Sequence, residues 1–194
     1  MSTGAVIVLV IVVVLVLAAG AWFVAQQSRS RRLRARFGPE YDRRVEESSD
    51  RRVAEHELSE REKRHARYEL RPLSDAEKAG YAEQWTVLQE QFVDQPGESV
   101  VAAEQLVHVV MRERGYPADS IERQAADDLS VEHASVVGDY RGARDIRSRH
   151  EREGASTEDL RQALTHLRAV FASVAGLTED RPTTNTNTNT PTTT

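Results

Sequence analysis

The chain has 194 residues, no cysteine, and a formal net charge of −5 from 26 basic and 31 acidic residues. The lack of cysteine excludes disulfides, thiolate metal sites and cysteine nucleophiles. Residues 74–176 carry 11 basic and 19 acidic residues, and such an acidic region is a poor nucleic-acid binder because phosphate contacts need clustered Lys and Arg side chains.

The first predicted element is a transmembrane helix over residues 5–25, which follows a short flank over residues 1–4. Residues 5–19 contain only Val, Ile, Leu and Ala. A helix over residues 5–25 would be about 31 Å long, and this length matches a hydrocarbon core of about 30 Å. Trp22 lies near the end of the run, where an aromatic anchor at the membrane interface is expected.

The juxtamembrane segment, residues 26–38, is basic. Its five arginines are Arg29, Arg31, Arg32, Arg34 and Arg36. Because positive residues stay on the cytoplasmic side, this segment predicts a single-pass plasma-membrane protein with Met1 outside and the C-terminal region in the cytoplasm. The same arginines are candidate contacts for anionic lipid headgroups of the bilayer. The alternative is that they act as a topology signal only.

A cleaved signal peptide is the alternative to a membrane anchor. Residues 19–21 read Ala-Gly-Ala and fit a cleavage pattern, but residues 1–4 lack a positive charge and the apolar run is longer than a usual signal peptide core. We therefore favour an uncleaved anchor. In the alternative, the protein is extracytoplasmic and is either tethered at the cell envelope or released there by its N-terminal segment.

Ser28 and Ser30 lie among the five arginines and are candidates for phosphorylation, which would offset part of the positive charge.

Residues 39–73 are predicted to form a charged helical stalk. Gly38 and Pro39 interrupt the preceding helix, and opposite charges then recur at helical spacing, which stabilises a solvated helix. A coiled coil is the alternative form of this stalk, but Val45, Val53 and Leu58 do not keep the heptad that a sustained one needs. The cap-forming residues at 48–50 predict an interruption in this stalk.

Residues 74–176 are predicted to form a small antiparallel helical bundle. Ser74 and Glu77 form a capping-box pattern, and helices are expected from there to about 93, then over about 98–114, 119–128, 132–153 and 156–176. The last of these has the most regular apolar stripe of the chain: Leu160, Leu164, Leu167, Phe171 and Val174. Residues 177–194, rich in Thr, Asn and Pro, are predicted to be a disordered tail. The expected fold class is therefore all-α.

No residue pattern predicts catalysis, a cofactor or a metal site. Glu62 and His65 form a single Glu-x-x-His, whereas a di-iron bundle needs two copies. His108 follows Glu104 by one helical turn beside an apolar stripe, which is typical of a structural histidine. The sequence therefore predicts a membrane-tethered module that binds an unidentified protein partner, rather than an enzyme or a ligand-binding bundle. It does not indicate an oligomeric state.

Several runs of residues carry a resemblance to known proteins. They are Arg36–Arg43, Arg71–Ser74, Trp85, Met111–Pro117, Asp128–Val131 and Ala155–Arg161. Together they resemble a family of actinobacterial helical proteins, membrane-anchored or secreted, to which no activity is assigned. The resemblance extends over about residues 33–175. It implies a shared helical domain, and it implies no activity and no functional residues.

Overall fold

The computed structural model describes residues 3–177, and this range contains helices and connections but no strand. The helices are α1 (Thr3–Phe37), α2 (Pro39–Glu47), α3 (Arg51–His65), α4 (Asp75–Gln91), α5 (Pro96–Arg114), α6 (Ala118–Glu132), a 3-10 turn (Ala134–Val136), α7 (Val137–Glu153) and α8 (Thr157–Ala175). The predicted all-helical class is confirmed. The predicted disordered tail, from residue 178 onward, lies outside the described residues.

Helix α1 is the one described helix that is long and apolar enough to span a membrane. It contains 35 residues and is therefore about 52 Å long. The candidate span, Ile11–Phe37, has a mean hydropathy of 1.9 in its most apolar window, and none of that window is buried inside the protein. Because a hydrocarbon core is about 30 Å thick, α1 is long enough to cross it and continue beyond it.

Local sequence signals set several helix ends as predicted. Gly38 adopts a φ of +50° directly after α1, a conformation that glycine reaches without steric cost. The carboxylate of Asp50 accepts a hydrogen bond from the backbone N–H of Arg52 at 2.8 Å and caps α3. Gly115, with a φ of +102°, ends α5. The predicted breaks after residue 37, at residues 48–50 and after residue 114 therefore agree with the structure.

Capping boxes open α4 and α8. At α4, the Ser74 hydroxyl accepts from the backbone N–H of Glu77, whose carboxylate in turn accepts from the Ser74 N–H. The equivalent pair at α8 is Ser156 and Asp159. Each box satisfies N–H groups that a helix start otherwise leaves without a partner.

The predicted helix over about 132–153 is wrong at its start. His133 has non-helical backbone angles and separates α6 from the 3-10 turn and α7. Its two ring nitrogens hydrogen-bond to Arg114 and Ser173, each at 2.9 Å. These contacts to α5 and α8 hold His133 outside either helix, and they come from distant parts of the chain. The predicted short helix at 119–128 is extended to Ala118–Glu132, with a kink at Gln124.

The main core lies between α4, α5, α6, α7 and α8. Helix α8 contacts both α5 and α7 extensively, while α4 packs mainly on α5. Trp85 of α4 stacks on Phe171 of α8 with ring centroids 4.9 Å apart, which adds aromatic packing to the burial of both rings. The apolar stripe predicted for the last helix is buried in this core.

The prediction of a solvated stalk over residues 39–73 is not what the structure shows. Helix α3 contacts α1, α2 and α6, and it buries Leu58 completely together with charged residues such as Glu55 and Arg61. The reason is that these charged side chains find partners on other helices, so their burial is compensated. The helices that follow α1 thus pack against the C-terminal part of the chain.

Candidate membrane-proximal site and surface groove

A second, smaller hydrophobic cluster joins α1 to the rest of the protein. We call it the junction cluster, and it consists of Leu33, Phe37, Tyr41, Leu58 and Val131. Leu33, Phe37 and Leu58 have no exposed surface. Four helices, α1, α2, α3 and α6, supply these residues, so the last turns of α1 are part of the folded domain.

A buried carboxylate, Glu55, holds three of these helices together. From α1, the Ser30 hydroxyl donates to it at 2.6 Å and Gln26 donates at 3.2 Å. The Tyr41 hydroxyl of α2 donates at 2.7 Å, and Arg51 donates from within α3 at 2.9 Å. Burial by itself raises the pKa of Glu55, but the hydrogen bonds from Ser30, Tyr41 and Arg51 outweigh it and lower this pKa.

A second buried carboxylate, Glu40, connects α2 to α3 and α7. Arg43 donates to its two oxygens at 2.8 and 2.9 Å, Arg141 of α7 at 2.8 Å, and Arg61 of α3 at 3.2 Å. The side chain of Arg61 is itself only 4% exposed and also pairs with Asp127 of α6 at 3.0 Å. Burial raises the pKa of Glu40, but hydrogen bonds and charge from Arg43 and Arg141 bring it to about 2.

Three of the five predicted lipid-contact arginines form ion pairs within the protein. Arg32 and Arg36 pair with Glu62 at 2.8 and 3.3 Å, and Arg34 pairs with Asp42 at 2.6 Å. These arginines remain largely exposed, so each surface pair contributes little to stability. Their charge is nevertheless partly offset, which reduces the attraction expected for anionic lipid.

The remaining two arginines, Arg29 and Arg31, are exposed and make no ion pair with another described residue. We expect the double variant Arg29→Gln/Arg31→Gln to lose at least tenfold of any preference for anionic over neutral lipid, because each cation near the surface contributes about 1 kcal/mol. The preference would be measured by native mass spectrometry of lipids retained by the full chain. The matched control is Arg32→Gln/Arg36→Gln, which should lose less. A preference that does not respond to salt would contradict this role.

The structure distinguishes the two candidate serines. Ser28 is exposed, whereas Ser30 is buried and donates to Glu55. A phosphate on Ser30 would face a carboxylate at hydrogen-bond distance and would break this contact through like-charge repulsion. Trp22 belongs to α1, but its side chain lies outside the described part of the structure, so its role as an interface anchor stays a prediction.

Two of the histidines, His108 and His133, have structural partners. The Nε2 atom of His108 lies 2.8 Å from the Tyr140 hydroxyl, and burial together with nearby arginines lowers the pKa of His108 to about 4. Burial and Arg114 lower the pKa of His133 to about 4 as well. Within residues 3–177, no group of three or more potential metal ligands comes together.

A groove of about 370 Å³ lies between α4 and α5 at the protein surface. Its lining is apolar with interspersed glutamines: Gln84, Val87, Leu88, Gln91, Ala102, Gln105, Leu106 and Val109. It shares Ala102 and Gln105 with a wider depression of about 740 Å³ at the α4–α5 connection, which His150 of α7 also lines. The two form one continuous surface, which we call the α4–α5 groove.

The sequence predicted neither the two buried carboxylates, Glu40 and Glu55, nor the α4–α5 groove. Four large apolar side chains follow one side of α4 and its end; Trp85 is buried, while Tyr81, Leu88 and Phe92 are half-buried against the core. Because the other helices do not bury these α4 side chains completely, the groove beside them stays open to solvent. A sequence signal for it exists, because residues 79–111 contain no Lys or Arg in an Arg-rich chain.

Comparison of the chain with protein-family models, with curated proteins and with solved structures gives no match.

Proposed function

We propose that the protein is a membrane-tethered helical module that binds another protein at the cytoplasmic face of the plasma membrane. The observation that carries the proposal is the continuity of α1. It runs without a break from exposed apolar residues, Ile11 to Leu17, into the junction cluster, where Leu33 and Phe37 are fully buried. A domain attached in this way would be held at the bilayer surface in a fixed pose, unlike a domain on a flexible linker.

The α4–α5 groove supports the interaction part of the proposal. Large apolar side chains that stay exposed after residue 25 are few in the described chain: Val53, Val87, Val93 and Leu177. Val87 lies in the groove. Val93 follows the end of α4 and directly precedes Asp94, which lines the groove. We interpret α4–α8 as a small antiparallel bundle whose first helix leaves one side open to a partner.

The orientation is a prediction that a pair of fusions tests. A reporter active only in the cytoplasm should work when fused after Thr194, because five arginines follow the apolar segment and none precedes it. A reporter active only after export should be silent at the same position and active when fused before Ser2. The opposite pattern would favour the extracytoplasmic alternative and overturn the cytoplasmic assignment.

The interaction is tested by a photo-crosslinking side chain placed at Val87 in cells. The matched control places it at Thr165, which is exposed on α8. The proposal expects a discrete protein adduct from Val87 that is absent from Thr165. No adduct from Val87 or from any other exposed position of the domain would contradict an interaction function.

A further inference from the structure

We infer that the α4–α5 groove binds a cationic amphipathic helix of the partner protein. This inference rests on the interaction function proposed above and gives the partner segment a chemistry. It follows from the shape of the groove, the apolar character of its floor and the charge of its rim.

The shape and floor of the groove suit a helix. Leu88 of α4 and Leu106 and Val109 of α5 lie between the two helices, and Val87 is about half exposed at 48%. Two neighbouring helices with a depression between them accept a third helix through side-chain ridges and grooves, and a helix in such a groove inserts apolar residues spaced three and four apart. Helix α4 is about 25 Å long, so a partner helix of similar length would contact the whole surface.

The rim of the groove is acidic. Residues 79–111 include no Lys or Arg. Of the four exposed carboxylates in this stretch, Asp94 and Glu98 line the wider end of the groove. The other two, Glu83 and Glu90, lie on α4 next in sequence to the lining residues Gln84 and Gln91. None of the four forms an ion pair with another described residue. Many other carboxylates of the chain are paired, for example Glu104 of α5, which contacts Arg147 of α7 at 2.5 Å.

These observations together select a basic partner. Unpaired carboxylates around an apolar floor attract Lys and Arg side chains and disfavour an acidic helix, because potentials across an interface must be complementary. The long stems of Lys and Arg can also cover apolar surface while their charged ends reach the rim. A cationic amphipathic helix combines both requirements.

The test uses the full chain in nanodiscs of neutral lipid and a labelled probe peptide. The probe is a Leu/Lys helix as long as α4, with leucines on one face, and binding is followed by fluorescence anisotropy with empty nanodiscs as the blank. We expect binding that weakens with added salt. We also expect a scrambled peptide of the same composition to bind at least about tenfold more weakly, since it lacks an apolar face.

Two charge variants separate the rim from the overall charge. The rim variant, Glu83→Gln/Glu90→Gln/Asp94→Asn/Glu98→Gln, should weaken probe binding about tenfold. The control variant changes four other unpaired carboxylates and so alters the net charge equally: Glu46→Gln/Glu69→Gln/Asp145→Asn/Glu153→Gln. It should change binding by less than about twofold. Equal effects of the two variants would overturn the inference.

An apolar variant tests the floor. Val87→Ser should weaken probe binding about threefold, while Val53→Ser, at a similarly exposed valine of α3, should leave it unchanged. If the rim variant instead abolishes a dimer of the chain, a second copy occupies the groove and the inference fails. Failure of the probe to bind, together with a protein adduct from Val87 in cells, would also overturn the inference while leaving the proposed interaction function intact.

Discussion

Replacement of Glu40 with alanine is expected to lower the free energy of unfolding by about 3–5 kcal/mol, the range for breaking a buried ion pair by removing one partner. Glu40 is 4% exposed and receives hydrogen bonds from Arg43, Arg61 and Arg141. Without the Glu40 carboxylate, the buried guanidinium of Arg61 loses one of the carboxylates with which it forms ion pairs. The measurement is denaturant unfolding of the full chain in detergent or nanodiscs, with the slope checked for each variant.

The control for this prediction is Glu47→Ala. Glu47 pairs with Arg43 and Arg44 on the same helix, but its side chain is 45% exposed, so we expect a change of about 1 kcal/mol or less. Similar effects of the two substitutions would show that Glu40 is no more important than a surface ion pair.

The pH dependence provides a second measurement on Glu40. Its pKa is about 2 in the folded protein against 4.5 for an unperturbed glutamate, so the unfolded state binds the proton more readily. The stability that this group contributes is therefore present above about pH 4.5 and is lost as the pH falls toward 2. The shift corresponds to about 3 kcal/mol. In the Glu40→Gln variant, the free energy of unfolding should lack this loss between about pH 4.5 and pH 2. If the variant and the unchanged protein lose the same stability over this range, Glu40 does not have a lowered pKa.

Helix ends were predictable because their signals are local. Gly38, Asp50 and Ser74 each act on backbone groups within a few residues, through a positive φ or a capping hydrogen bond. The apolar stripe of α8 was also predictable, because one face of a regular helix is enough to indicate which residues are buried.

The packing of residues 39–73 was not predictable from the same kind of pattern. Residues 39–73 contain few apolar side chains, and the burial of Glu40, Glu55 and Leu58 relies on paired charges rather than on a continuous apolar stripe. Glu40 is separated from Arg141 by 101 residues, and Ser30 from Glu55 by 25. Helical periodicity alone predicts that Glu40 and Glu55 are exposed to solvent, because it contains no information about their partners on distant helices.

Replacement of Phe37 with alanine is expected to loosen the attachment of the domain to α1. Phe37 has no exposed surface and belongs to a cluster of only five buried residues. Truncation of a buried phenylalanine to alanine typically costs about 3–5 kcal/mol, and so small a cluster has few other contacts with which to compensate. Because the main core around α8 does not include Phe37, the loss should appear as local opening rather than global unfolding.

Hydrogen exchange of the full chain in nanodiscs measures this opening. We expect the amides of α2 and α3 to exchange faster by at least about a hundredfold in Phe37→Ala, as a loss of about 3 kcal/mol implies, while those of α8 keep their protection. The matched control is Val53→Ala, because Val53 is 57% exposed on α3 and lies outside the junction cluster. Unchanged exchange in α2 and α3 would mean that α1 is not held by the junction cluster, and the fixed pose at the membrane would lose its support.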